Sequence, residues 1–215
     1  MPPEPHPDPE ATSRPVMGLL ERALEFWLRQ QCQAIGELRI RLEGSAAGLL
    51  RGRVEGVRLT AREVVYEHLE IAHVELVSAP LQVRMGALLR RRVLELEDPF
   101  QVRGQVAFSG EGLGRSLQAD RWRSLGDALA ADLLGRPPLA GLRLVEDHLL
   151  LLAPPDPPGA GERAVHLRPA PGRLEVVPLD GGPPLEIPID PDIRIEHAGI
   201  GAGLLRLEGE ARVQP

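Results

Sequence analysis

Lysine and asparagine are absent from this 215-residue chain, so every basic side chain other than histidine is an arginine. Lys and Asn codons are AT-rich, while those of the abundant Gly, Pro, Ala and Arg are GC-rich. Base composition explains the pattern more simply than selection for arginine's planar fork. Cys32 stands alone, which excludes an internal disulfide and a cysteine-cluster metal site, and fits a reducing compartment. Aromatic residues make up 3% of the chain. Long apolar runs are missing: the greasy stretch 16–28 is broken by Glu21, Arg22 and Glu25, and nothing approaches the ~20 apolar residues of a membrane span. Residues 1–14 carry prolines and acids without an apolar centre and do not read as a signal peptide. A basic surplus is lacking too. At a net charge of −6, a general nucleic-acid binder is not expected. The expectation is a cytoplasmic protein that can lie on a membrane without crossing it.

What is present is hydrophobic periodicity. Residues 1–13 read as a disordered, proline-rich tail, and 14–215 as one domain. Ser13 can cap a helix that Pro15 opens. Leu19, Leu20, Ala23, Leu24, Trp27 and Ile35 keep helical spacing, Phe26 and Leu28 widen the apolar face, and Gly36 supplies a stop. The predicted helix spans 15–35, and a face that wide calls for burial on several sides. From residue 37 the period changes to two: Leu38, Ile40 and Leu42 alternate with Arg39 and Arg41. Similar alternation recurs to Phe108 without intervening helix, which predicts an antiparallel sheet. A second helix is predicted over 112–135, ended by Gly135 and two prolines, and further strands follow to Val213. A faint echo links 49–54 to 88–93; chance in an Arg- and Leu-rich chain accounts for it as well as duplication does.

Catalytic chemistry finds little purchase. His6, His68, His73, His148, His166 and His197 form no HxxxH or HxH pair. No GxSxG elbow is present, and Cys32 falls in a predicted helix without a nearby histidine. The glycines of 199–203 precede a strand, so they make no dinucleotide fingerprint. Gly110-Glu111-Gly112-Leu113-Gly114 opens a predicted helix but lacks the Walker lysine and places Glu111 where phosphate would sit. Asp190-Pro191-Asp192 reads as a turn. No enzyme, metal site or cofactor is expected.

The remaining candidates are leucines beside arginines: Leu49, Leu50 and Arg51, and Leu88, Leu89, Arg90, Arg91 and Arg92. In one reading the leucines enter a headgroup boundary while the arginines pair with lipid phosphates. In the other the leucines are core and the arginines are solvated surface, and the residues alone favour this second reading.

A resemblance adds to the first. Leu38-Arg39-Ile40-Arg41-Leu42-Glu43-Gly44, Leu49-Leu50-Arg51-Gly52, Val57-Arg58-Leu59-Thr60-Ala61, Val65-Tyr66-Glu67-His68-Leu69, Met85-Gly86-Ala87-Leu88-Leu89-Arg90 and 99–106, with Leu113-Gly114-Arg115-Ser116-Leu117 and 205–211, follow in order over most of 15–213. Together they resemble the LmeA-like phospholipid-binding family, closest to its cyanobacterial, bacterial branch. The resemblance implies an α+β fold like the tubular lipid-binding (TULIP-like) domains, with a long N-terminal helix cradled by a strongly curved antiparallel sheet. It also implies binding of a phospholipid or related amphiphile at a membrane. Gly110, Gly112 and Gly114 depart from the family's polar helix start, so that helix is expected to fray. The rival from another class is a membrane-associated assembly module without a lipid pocket; which protein partners it would take is not legible.

Overall fold

Alternation along residues 34–78 and 100–109 builds the first half of the fold. The computed structural model describes residues 9–84, 96–155 and 161–214. A helix α1 (Pro9–Gln31) leads into β1 (Ala34–Glu43), a short α2 (Ala46–Leu50), β2 (Arg53–Val54), β3 (Gly56–Tyr66), β4 (Leu69–Ser78), β5 (Leu81–Gln82) and β6 (Phe100–Ser109). Helices α3 (Gly110–Gln118) and α4 (Arg123–Leu134) follow. The chain then forms β7 (Gly141–Val145), β8 (His148–Leu152), β9 (Glu162–Ala170), β10 (Arg173–Pro178), β11 (Leu185–Pro188), β12 (Ile193–Gly201) and β13 (Leu204–Val213). The class is α+β, as expected.

The strands make an open six-stranded sheet, β1-β3-β4-β6-β13-β12, a five-stranded sheet, β11-β10-β9-β8-β7, and a β2-β5 pair. All named pairings are antiparallel. Residues 110–192 therefore form an insert between β6 and the two strands that complete the long sheet.

Register carries one apolar face across the long sheet. Leu38, Ile40 and Leu42 oppose Ala61, Leu59 and Val57. Leu59 and Ala61 oppose Leu76 and Val74, and Val74 opposes Val106. The row from Leu76 then meets glycine twice, at Gly104 and at Gly209 beside it. A Cβ on Gly104 would lie 2.0 Å from the Glu75 carbonyl oxygen, and one on Gly209 would lie 2.1 Å from that of Arg194. Only glycine permits backbones to approach so closely. The register of β12 slips between Ile195 and His197, where that line leaves the sheet.

Helix α1 runs along the free edge of β1. The Arg29 guanidinium donates to the Ile35 carbonyl at 3.0 Å, and Leu42 N–H donates to Glu21 Oε1 at 3.3 Å. It thus shields an edge that would otherwise template further strands. This differs from the expected helix in three respects. It begins at Pro9, within the stretch expected to be tail. It ends at Gln31, because Ala34 and Ile35 pair with Val65 and Val64 as strand. It is covered along one side: Leu20 is buried, but Phe26 is 62% and Trp27 37% exposed. Burial of this helix on several sides is therefore not what the fold provides. Gly36 lies inside β1, against Glu63.

The predicted second helix is two. Between α3 and α4 the Trp122 indole N–H turns to donate to the Glu67 carbonyl at 2.8 Å, and Gly126 lets α4 close on the Leu117 carbonyl. Gly135, at φ 77°, ends α4 as its position suggested. The glycines opening α3 do not leave it loose. A Cβ on Gly110 would stand 3.0 Å from the Leu144 nitrogen, and one on Gly114 would stand 3.3 Å from that of Leu142, so they let the helix lie on β7. Ser109 caps it through Gly112 N–H, and Arg115 grips Glu70 of β4 with two hydrogen bonds of 2.9 and 2.6 Å. That grip holds the Glu70 carboxyl below the ordinary carboxylate range. Leu117, Leu129, Leu133, Leu149, Leu151 and Val165 close a core between these helices and the five-stranded sheet.

Candidate functional site

The two halves of the molecule differ in how their apolar faces are filled. Between α1 and the long sheet lies a cavity of about 230 Å³. From α1, Leu24, Trp27 and Leu28 reach it; β3, β4 and β6 contribute Leu59, Leu76 and Val102; Val83 and Leu96, joined by a bridge, flank it. Ser78 is the one polar residue among the sixteen described residues that line it, and its Oγ accepts a hydrogen bond of 2.9 Å from Val57 N–H. A wall without charge and with its one hydroxyl engaged offers nothing to a polar solute and suits hydrocarbon. A dry apolar cavity of roughly 150 Å³ holds benzene, so this one accommodates a length of hydrocarbon and not a whole phospholipid. Trp27, partly exposed, belongs both to the wall and to the surface.

The described sequence candidates, Leu49 and Arg51, are not among the residues that line the cavity. Leu49 is fully buried in a cluster with Leu20, Leu42, Val54 and Val83. As packed it is core, and it does not reach a headgroup. Leu50 ends α2, and Arg51, exposed, follows it with its N–H on the Gly48 carbonyl at 2.9 Å. Leu88, Leu89, Arg90, Arg91 and Arg92 lie outside the described residues. Among the candidates, the structure therefore places Leu49 in the core and Arg51 on the surface beside it. The cavity residues were passed over because each reads, by alternation alone, as ordinary core. Leu24, Trp27 and Leu28 on one helical face carried the available signal.

Titratable groups do not converge on the cavity. His73 Nε2 meets Glu75 Oε1 at 2.7 Å on the sheet's outer face, and with Gln105 it holds that carboxyl below its usual range. Cys32 is half-buried, and burial pushes its thiol up. Among the described residues no group of three or more His, Cys, Asp or Glu side chains is placed to hold a metal ion. No helix among them is long and apolar enough to cross a membrane.

Fold and site together define an α+β protein that encloses an apolar cavity between a helix and an antiparallel sheet. Residues 11–210 match the LmeA-like phospholipid-binding family, and the chain belongs to it. No curated protein and no solved structure matches. The family is a lipid-binding one, and lipid binding is the function it suggests for this chain.

Proposed function

We propose that this protein takes part of a phospholipid acyl chain into the cavity between α1 and the long sheet, leaves the headgroup outside, and does so at a membrane surface without catalysis. The observation that carries the reading is the wall itself: sixteen described residues line it, and none of these is charged, in a member of a phospholipid-binding family. The size of the cavity supports partial uptake, which suits presentation or transfer of a lipid better than long-term storage. The likeness to tubular lipid-binding domains, with their curved sheet, belongs to the proposal as well; a helix over an antiparallel sheet with apolar space between them is the feature in its favour.

Membrane contact is assigned to Leu50, Arg51 and the segment Leu88-Leu89-Arg90-Arg91-Arg92. Val83 and Leu96, which lie close to either end of that segment in the chain, line the cavity. Three arginines on an anionic surface contribute ~1 kcal/mol each. Native mass spectrometry with lipid extraction tests the main reading: phospholipid should travel with the purified protein. A preparation free of lipid, with a stable protein partner in its place, would favour the assembly module. Replacing Arg90, Arg91 and Arg92 by glutamine should cost most of the co-sedimentation with anionic vesicles at low salt; equal binding by both proteins removes the segment from the proposal.

A further inference from the structure

The alternation that sends Leu38, Ile40 and Leu42 toward the cavity sends Glu37, Arg39 and Arg41 to the sheet's outer face. There β3 answers with Arg58, Thr60 and Arg62. Register places Arg41 directly opposite Arg58, Arg39 opposite Thr60, and Glu37 opposite Arg62. These side chains line a surface concavity of about 330 Å³. Directly opposed residues have Cβ atoms ~4.5–5.5 Å apart, and like charges there destabilise the pair.

Compensation is thin at this spot. Arg58 reaches Glu43 at 3.4 Å, with both side chains more than half exposed. Arg39 and Arg41 have no hydrogen bond or ion pair among the described residues. Farther along the same face the charges are matched: Arg103 and Arg194 both meet Glu210, and His73 meets Glu75. The imbalance is local, in a chain whose net charge is −6.

We infer that Arg39, Arg41 and Arg58 form an oxyanion site for a phosphate group, on the opposite face of the sheet from the cavity. Guanidinium forks match phosphate oxygens two at a time, and Thr60, on β3 between Arg58 and Arg62 with Arg39 opposite on one side and Glu75 of β4 on the other, adds a neutral hydroxyl donor. A phosphate between Arg41 and Arg58 converts their repulsion into a shared attraction. Arg62 contributes less, because Glu37 opposes it. The group recognised is the phosphate itself, whether a soluble compound or a lipid headgroup presents it. The inference stands apart from the cavity reading and does not need it.

The test uses the full chain and two probes. Pyrophosphate is titrated calorimetrically against a chloride control of equal ionic strength. Phosphatidylcholine vesicles with and without phosphatidylglycerol are tested by co-sedimentation. The wild type should bind pyrophosphate, or the phosphatidylglycerol vesicles, or both. Binding should weaken about tenfold for each arginine removed in Arg41→Gln and in Arg41→Gln/Arg58→Gln. Melting temperature should hold or rise in both variants, because an opposed like charge has gone, and co-purifying lipid should not change. Pyrophosphate binding alone assigns a soluble source, and vesicle binding alone assigns a headgroup. The site is overturned if the wild type binds neither probe above its control, or if the double variant binds as the wild type does. It is also overturned if binding is lost together with a fall in melting temperature, since the arginines would then be holding the fold.

Discussion

The insert and the long sheet bury apolar surface in different ways. Between α3, α4 and the five-stranded sheet, Leu151 and Val165 are almost wholly inaccessible, and leucines from both layers interdigitate. Between α1 and the long sheet the residues are as apolar, yet a cavity of about 230 Å³ remains and Trp27 stays partly in solvent. Interiors normally reach crystal-like density because every void forfeits contacts. A gap on one side of a molecule whose other side is closely packed is what the proposed uptake of hydrocarbon requires.

The contrast can be put under load. Leu151→Ala should destabilise by ~2–5 kcal/mol, the cost of a new hole in a filled core. Leu76→Ala, on the cavity wall, should cost clearly less, because few of the neighbours that would lose contacts are there to lose them. Denaturant unfolding of the two variants gives the comparison, and equal losses would mean that the cavity is not empty space in solution. Gly104→Ala should cost ~1–3 kcal/mol, because its Cβ would land 2.0 Å from the Glu75 carbonyl oxygen and push β4 and β6 apart. Its lipid content should fall with it.

A smaller effect of opposite sign is expected from Val102→Phe. Extra volume in a filled core is destabilising, but here it enters the cavity, so stability should rise by ~0.5–2 kcal/mol while co-purifying lipid is displaced. Destabilisation would return Val102 to the class of ordinary core residues. The smallest effect is electrostatic and belongs to the insert. Arg168, at 2.6 Å, and Arg173, at 3.1 Å, hold the Glu175 carboxyl below its ordinary value of 4.5. A depressed carboxyl stabilises the fold fully above that value and loses its contribution as pH falls through the lower, folded one. Thermal stability should therefore decline in acid, and Arg168→Gln should flatten the decline. An unchanged pH profile would mean that the ion group adds nothing to the fold.

Much of this was readable in advance, and the failures have physical causes. The alternation of Leu38, Ile40 and Leu42 is local, so β1 and its inner face were plain. Ile35 fits the helical spacing and the strand spacing equally, and pairing with Val64, 29 positions away, decides for the strand. The helical stripe that includes Trp122 is interrupted at Ala119, whose backbone turns extended, and the Trp122 indole N–H donates to the Glu67 carbonyl, which is remote in sequence. The glycines of α3 signal weakness to a propensity scale but proximity to a neighbouring strand. Leu49 beside Arg51 was ambiguous until packing placed it among Leu20, Leu42 and Val54. The cavity was illegible because it arises where α1 and seven stretches of strand and loop fail to meet, and an absence of contact leaves no trace in a pattern of residues.

The insert between β6 and β13 also governs how the protein emerges from a ribosome. Gly104 must wait for Gly209, and at ~5–20 residues per second the nascent chain leaves one side of β6 without its neighbour for many seconds. During that interval the insert can collapse on its own core, while the waiting strand is a template for stray chains. Arg103 makes that strand charged, and Gly104 leaves its middle without a side chain to pack, a poor partner for anything but the strand encoded to join it. The glycine that lets the finished strands approach thus also protects the unfinished sheet.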